Sequence, residues 1–192
     1  MRIDHVIYAT RDLEAAAERV AAQLGRQAVG GGRHDGLGTE NRIIPLGDGY
    51  IEVLAVADPG EAAGSDLGRA VQSRIEQTGD GLMGWAVEVD DAVATAERLG
   101  VSHSTISRQG LSASLAGLAE SMREPWLPFF ISRDHGIADP GDAEGDGIAW
   151  IEVAGDPGRL RDWLGGAALP VRVVHGPPGV RAVGVGAHEL RA

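Results

Sequence analysis

The sequence contains no cysteine and no long apolar run, and each absence excludes a class of protein. Zero cysteines among 192 residues exclude disulfides, thiolate nucleophiles, cysteine-ligated zinc and iron–sulfur clusters. Any metal site must therefore use imidazole and carboxylate groups. The apolar runs fall short of the roughly 18 residues that a membrane-spanning helix needs, so a membrane is not an expected partner.

Basic residues are scarce as well. The chain has 17 Lys and Arg residues against 28 Asp and Glu residues, which gives a formal net charge of -11. Such a surface repels a phosphate backbone, so nucleic acid is not an expected partner. The first residues, MRIDHVIYATRDLE, lack the basic and then apolar pattern of a secretory signal. The default location is therefore cytoplasmic.

The amino-terminal part predicts a strand, a helix and two further strands. Residues Ile3 to Thr10 alternate loosely between two faces, as a short strand does. Asp12 is a typical helix N-cap, and the residues after it are apolar at helical spacing: Leu13, Ala16, Ala17, Val20 and Leu24. Glu40 to Leu46 and Tyr50 to Val56 are predicted strands that a Gly-Asp-Gly turn joins.

One strand-and-helix phrase recurs along the chain. RDLEAAAERV (Arg11 to Val20) aligns without gaps with DDAVATAERL (Asp90 to Leu99), and each copy follows a predicted strand and precedes a glycine. A weaker third copy, IAWIEVAGDPGRLRDWLG, begins at Ile148, with Asp156 as the N-cap and a proline at the first helical position. The chain therefore contains an internal repeat.

The repeat predicts three modules within a single domain, 1–192. They cover about residues 1–60, 80–133 and 147–191, with a helical linker at 65–77 and a loop rich in Asp, Gly and Pro at 134–147. Each module has the order βαβββ, which predicts an α+β fold with curved, mainly antiparallel sheets. Since one such sheet cannot bury its inner face alone, we expect the sheets to pair around a concave pocket.

The repeat and three segments, IDHVIYATRDLEAAAERV, GGRHDGLGTENRIIPLGDGYIEVL and LPFFI, resemble the glyoxalase-like branch of the vicinal oxygen chelate superfamily. The resemblance covers most of the chain. It implies a vicinal oxygen chelate-like fold, a small-molecule ligand and pairing into homodimers. It is less specific for the reaction, because one fold hosts many functions. The members that it implies include isomerases, dioxygenases, epimerases, resistance proteins and metal-free binding proteins.

An acid within an apolar strand marks the candidate site. Glu52 lies in YIEVLAV, where an unpaired buried carboxylate is costly or takes up a proton. The resemblance pairs Glu52 with His5, because metal sites of the superfamily take one ligand from the first strand and one from the last strand of each of two modules. His5 and Glu52 are therefore the predicted catalytic residues. They are also the predicted half of a site for zinc, iron, manganese, nickel or cobalt.

The other half of that metal site is missing from the sequence. In the gapless repeat His5 corresponds to Gly84, and the strand that ends in LPFFI offers no carboxylate in place of Glu52. Glu152 remains a substitute if the third module has a different register. The expected cofactor is therefore a divalent metal or none. The alternatives are a core histidine and a carboxylate at a sheet edge.

Six further residues are predicted to bind the substrate: His34, Asn41, Arg42, Trp85, Phe129 and Phe130. The first three lie in or beside a glycine-rich segment that resembles the family's own loop, and the alternative is a hairpin tip with solvated side chains. The three aromatic residues are predicted to form an apolar wall of the pocket. Their alternative is an ordinary place in the core.

Two hypotheses of different classes explain these residues. In the first, the protein is a lyase or isomerase in which His5 and Glu52, with or without a metal, move a proton beside a carbonyl of a small oxygenated molecule. In the second, the same cavity binds or sequesters a small apolar or aromatic compound without turnover. The acid in the strand favours catalysis, whereas the incomplete metal ligation favours binding.

Overall fold

The computed structural model describes residues 1–108, 111–133 and 140–192. Residues 134–139, part of the loop predicted at 134–147, lie outside the described residues. In chain order the strands and helices are β1 (Arg2–Thr10), α1 (Leu13–Gln23), β2 (Val29–His34), β3 (Thr39–Pro45), β4 (Tyr50–Val56), α2 (Pro59–Ala62), α3 (Asp66–Thr78), β5 (Gly81–Glu88), α4 (Ala92–Leu99), β6 (His103–Arg108), β7 (Leu111–Ala116), α5 (Leu118–Arg123), β8 (Phe129–Arg133), β9 (Trp150–Ala154), α6 (Pro157–Trp163), β10 (Val171–Val174), β11 (Gly179–Val185) and β12 (His188–Arg191). No helix in these three ranges is long and apolar enough to cross a membrane.

An aspartate caps each helix of the recurring phrase. Asp12, Asp91 and Asp156 have extended backbone, and each side chain accepts a hydrogen bond from the backbone N–H three residues further on, at the start of α1, α4 and α6. Such caps satisfy one of the free N–H groups at a helix start and stabilise it by about 1 kcal/mol. The repeated aspartate therefore determines the residue at which each helix begins after its strand.

The two halves of the gapless repeat form one eight-stranded sheet. Its order is β2-β3-β4-β1-β5-β8-β7-β6. The pairs β1·β4 and β5·β8 are parallel, and the central pair β1·β5 is antiparallel. The sheet curls so that its edge strands β2 and β6 approach each other. The predicted α+β fold with a curved sheet and a concave face is confirmed.

The register of β1 and β5 relates the two halves by a local twofold axis. His5 lies opposite Ala86, and Ile7 lies opposite Gly84. This reciprocal pairing makes His5 equivalent to Gly84 and Ile7 equivalent to Ala86. The alignment of the two phrases in the sequence assigns the same equivalence to His5.

The third segment has the same order of elements but a different strand pairing. It forms a separate four-stranded sheet in the order β10-β9-β11-β12. There β9 runs parallel to β10, the strand that directly follows its helix. In the first half, the strand parallel to β1 is β4, the last of the three that follow α1. The third sheet is therefore not a third copy of the same strand arrangement.

Two groups of buried side chains lie on opposite faces of the large sheet. One group includes Trp85 and Phe130 together with Trp163 of α6. The other includes Ile7 and Phe129 together with apolar residues of α3. Because neighbouring residues of a strand point to opposite faces, Phe129 and Phe130 are divided between the two groups.

Candidate functional site

A cavity of about 320 Å³ lies on the concave face of the large sheet. It receives mainly polar side chains from β1 to β4 and mainly apolar side chains from α5 and β6 to β8, with Arg133 of β8 as a charged exception. The polar residues that line it include His5, His34, Asn41, Glu52 and Arg133. The apolar residues include Ile106, Leu115, Leu118, Phe129 and Ile131. The cavity is therefore mainly polar along the first half of the sheet and mainly apolar along the second.

A β-bulge brings two neighbouring residues of β1 together. Ile3 pairs with Val87 and His5 pairs with Ala86, so Asp4 is an extra residue in β1. Side chains of successive strand residues ordinarily point to opposite faces, and a bulge re-aims them. As a result, the Asp4 carboxylate oxygen Oδ2 lies 2.6 Å from Nδ1 of His5.

Asp4 is completely buried and is held by Arg133 of β8, a strand in the other half of the sheet. Nη1 and Nη2 of Arg133 donate to Oδ1 and Oδ2 of Asp4 at 2.6 and 2.8 Å. Burial by itself would raise the pKa of Asp4, but the hydrogen bonds and charges of His5 and Arg133 lower that pKa well below its usual range. Asp4 is therefore a carboxylate, and Nδ1 of His5 is the donor in their hydrogen bond.

The ring of His5 is fixed on both sides. It stacks on Tyr50 with 4.7 Å between ring centroids and meets the edge of Phe129 at 5.4 Å. Burial, followed by the charges of Asp4 and Glu52, raises the pKa of Tyr50, so its phenol stays neutral. Nε2 of His5 is buried without a hydrogen-bond partner among the described residues and lies 3.5 Å from Oε2 of Glu52.

Glu52 is held by an amide whose orientation the backbone determines. The N–H of Gly32 donates to Oδ1 of Asn41 at 3.1 Å, which leaves Nδ2 of Asn41 to donate to Oε1 of Glu52 at 2.5 Å. The same Nδ2 lies 3.3 Å from Nε2 of His34. Since Nδ2 is a donor, Nε2 of His34 is the acceptor, and Nδ1 donates to Thr39 at 2.9 Å.

The glycine-rich segment permits this arrangement by letting two strands come very close. A Cβ atom on Gly31 would lie 2.0 Å from the backbone oxygen of Asn41, and the φ angle of Gly31 is +105°. Only glycine adopts such a conformation without strain. The GGG run at 30–32 therefore positions Asn41, and through it Glu52.

Three of the six predicted substrate-binding residues line the cavity, namely His34, Asn41 and Phe129. The other three, Arg42, Trp85 and Phe130, do not line it. Arg42 follows Asn41 in β3, so it points to the opposite face, where its guanidinium pairs with Glu14 of α1. Trp85 and Phe130 belong to the core group on the face away from the cavity.

The twofold axis shows what replaces the site in the other half of the sheet. Ile7 pairs with Glu52, and its equivalent Ala86 pairs with Phe129. The counterpart of Glu52 is therefore Phe129, and the counterpart of His5 is Gly84. Neither of these two residues has a side chain that can ligate a metal or move a proton.

The side chains do not fit a resident metal ion. His5 and Glu52 supply two donors, whereas catalytic zinc sites use three protein ligands. No group of three His, Asp or Glu side chains within 1–108, 111–133 and 140–192 could hold an ion. The Nε2 atom of His34 lies 3.7 Å from Oε1 of Glu52 and accepts a hydrogen bond from Asn41.

Sequence reasoning missed Asp4 and Arg133. The alternation of a regular strand placed Asp4 on the face opposite His5, and a bulge changed this. Arg133 lies 129 residues from Asp4 along the chain. A buried acid next to the candidate histidine was the one signal that could have indicated this pair.

The comparisons with known proteins agree with the fold. The sequence model of the family described as glyoxalase-like domain matches residues 3–166. A search of the curated proteins found no match.

Solved structures share the fold at low sequence identity. A hypothetical protein from Staphylococcus aureus is 15% identical with a TM-score of 0.70, over 93% of this chain and 87% of its own. Methylmalonyl-CoA epimerase from Mycobacterium tuberculosis is 19% identical with a TM-score of 0.51, over 68% and 85%. The Streptomyces coelicolor epimerase in complex with 2-nitronate-propionyl-CoA is 18% identical with a TM-score of 0.55, over 72% and 98%. These identities show the fold alone.

Proposed function

Because this chain belongs to the glyoxalase-like domain family and its cavity presents two adjacent bases, we propose that it catalyses proton transfer on a small carbonyl compound, as an isomerase or lyase. The observation that carries this proposal is the unpartnered Nε2 of His5, which faces Oε2 of Glu52 at 3.5 Å on the cavity wall. These two atoms are close enough to share one proton. A substrate with an acidic C–H or O–H supplies that proton.

The proposed chemistry begins at a carbon next to a carbonyl. Glu52 takes the proton, so the C–H bond breaks, an O–H bond forms, and the electron pair moves onto the carbonyl oxygen as an enolate. His5 can accept the same proton through Nε2, because Nδ1 already donates to Asp4. The proton then returns to carbon or to oxygen, or a β-substituent leaves. General acid–base catalysis of this kind contributes about 10²–10⁴-fold in rate.

Both bases lie on one wall of the cavity, which favours proton transfer on one face of the substrate. Their counterparts across the twofold axis are Gly84 and Phe129. Epimerisation needs removal from one face and return to the other, whereas an isomerisation can use a single face. This asymmetry supports an isomerisation or an elimination that uses one face of the substrate, rather than an epimerisation that uses both.

The apolar wall indicates the kind of substrate. Ile106, Leu115, Phe129 and Ile131 line the cavity together with the polar residues. The cavity of about 320 Å³ is at the lower end of the roughly 300–1,000 Å³ range of ligand pockets. We therefore expect a compact substrate with one oxygenated end and an apolar or aromatic body.

The test is exchange of carbon-bound hydrogen in D₂O, followed by NMR for a panel of small chiral carbonyl compounds. We expect deuterium to enter the position next to the carbonyl with retention of configuration. Racemisation at the same rate as exchange would contradict transfer on one face. Absence of exchange across a panel whose members bind would contradict catalysis.

Metal analysis tests the role of an ion. Because the cavity offers two donors where three are usual, protein purified without chelator is expected to contain well under one equivalent of divalent metal. Removal of this remaining metal with a chelator should leave the rate of hydrogen exchange unchanged. Near-stoichiometric zinc, iron, manganese, nickel or cobalt that is lost in both His5→Ala and Glu52→Ala would show that the half-site holds a metal after all.

The apolar wall also favours the second function, binding without turnover. A ligand that binds only the folded state raises the unfolding temperature according to the ratio of its concentration to its Kd. Aromatic compounds that raise this temperature without any hydrogen exchange would identify a binding protein. The same panel of compounds therefore separates the two functions.

A further inference from the structure

The array of Asp4, His5 and Arg133 deepens the proposed function, on which its catalytic part rests. We propose that Asp4, held by Arg133, is a positioning residue that keeps the proton of His5 on Nδ1 and thereby presents Nε2 as a base toward Glu52. The geometry around Asp4 supports this role. The predicted metal site of His5 and Glu52 has no use for the ion pair between Asp4 and Arg133.

The Asp4 carboxylate accepts hydrogen bonds from both Arg133 and His5. Two come from Arg133, at 2.6 and 2.8 Å, and one comes from Nδ1 of His5, at 2.6 Å. All three donors approach a side chain that has no exposed surface. A carboxylate accepts hydrogen bonds only, so the ring nitrogen that faces it must carry the proton.

The ring cannot turn to present its other edge to Asp4 without losing further contacts. It stacks on Tyr50 and meets Phe129, and its Nε2 edge faces Glu52. Among residues 1–108, 111–133 and 140–192, the charged or titratable groups that face the array include Glu52 and Tyr50, together with Glu88 at 3.6 Å from Arg133. The hydrogen-bond partner of Nδ1 of His5 is Asp4 rather than any of these three. Asp4 is therefore the group that we expect to determine which nitrogen is protonated.

A purely structural ion pair predicts something different. The bond between Asp4 and Arg133 joins β1 to β8 and would stabilise the sheet whatever the state of His5. In that case, removing the negative charge would change stability and leave the protonation of His5 as it was. The state of the ring nitrogens, which 15N NMR reports directly, distinguishes these cases.

Asp4→Asn is the informative substitution. Arg133 donates to both carboxylate oxygens, and His5 faces Oδ2. We expect the single amide oxygen to stay with Nη1 of Arg133 and the amide nitrogen to take the place of Oδ2 beside His5, with loss of the bond to Nη2. Nδ1 then becomes an acceptor and the proton moves to Nε2, which blocks the base. The equivalent substitution in a serine protease triad leaves the geometry intact and lowers kcat about 10⁴-fold through the wrong tautomer. We expect a loss of about 10²–10⁴-fold in hydrogen exchange here.

The experiment records 15N spectra of protein labelled at histidine, at a pH near 8, with His5→Asn to assign the His5 signals. Wild type should show a protonated Nδ1 and a bare Nε2. Asp4→Asn should show the reverse. Glu88→Gln, which removes a carboxylate beside Arg133 without touching His5, should leave the wild-type pattern.

A proton on Nε2 of His5 in the wild type overturns the proposal, and this measurement needs only the His5→Asn variant that assigns the signals. An unchanged pattern in both folded Asp4→Asn and folded Asp4→Ala, the second of which has no oxygen to face Nδ1, overturns it as well. Since the spectra need no turnover, the expected tautomers in a protein without hydrogen exchange would uphold the positioning role and reject the catalytic function.

Discussion

Glu52→Gln is expected to lower hydrogen exchange on a carbonyl substrate by about 10²–10⁴-fold, the usual contribution of a general base. The amide has nearly the shape of the carboxylate, and its oxygen can still accept the hydrogen bond from Asn41, which is 2.5 Å in the wild type. Its nitrogen can donate toward Nε2 of His5, which otherwise has no partner among the described residues. The variant should therefore fold, bind ligand and lose catalysis.

Glu152→Gln is the matched control. Glu52 and Glu152 both lie in a strand within the tripeptide Ile-Glu-Val. Glu152, however, faces Arg172 and Arg191 in the four-stranded sheet, at 3.9 and 3.6 Å. We expect its amide variant to exchange hydrogen at the wild-type rate. Equal rates for all three proteins would remove Glu52 from the mechanism.

These two glutamates also show how far local sequence could predict the site. The acid in YIEVLAV indicated a special environment for Glu52, and the resemblance paired it with His5. The same triplet at Ile151 to Val153 carries an acid that forms surface ion pairs. Strand pairing decides between the two roles, because it determines which face of which sheet each acid occupies.

The α+β fold was predictable because its signals are local. The aspartate caps, the helical spacing and the Gly-Asp-Gly turn each act within a few residues, and the repeat indicated two equivalent units. The pairing of the third sheet was not predictable in this way, because elements in the same order can pair differently. Nor was the bulge at Asp4, which is a property of two strands in register rather than of either one.

Trp85→Ala is expected to reduce the free energy of unfolding by about 3–5 kcal/mol, the usual cost of removing a large buried aromatic side chain. Trp85 has no exposed surface, and its Nε1 donates to the backbone oxygen of Trp126 at 3.1 Å. Its loss leaves both a void and an unpaired carbonyl. Because typical domains are stable by about 5–15 kcal/mol, chemical denaturation should show a large shift of the midpoint.

The same substitution separates the core from the cavity wall, because Trp85 and Phe129 lie on opposite faces of the large sheet. Folded Trp85→Ala should bind ligand and exchange hydrogen as the wild type does, when rates are expressed per folded molecule. Phe129→Ala should weaken ligand binding, because Phe129 lines the cavity and contacts the ring of His5. A loss of ligand affinity in folded Trp85→Ala would instead show that Trp85 influences the cavity through the sheet.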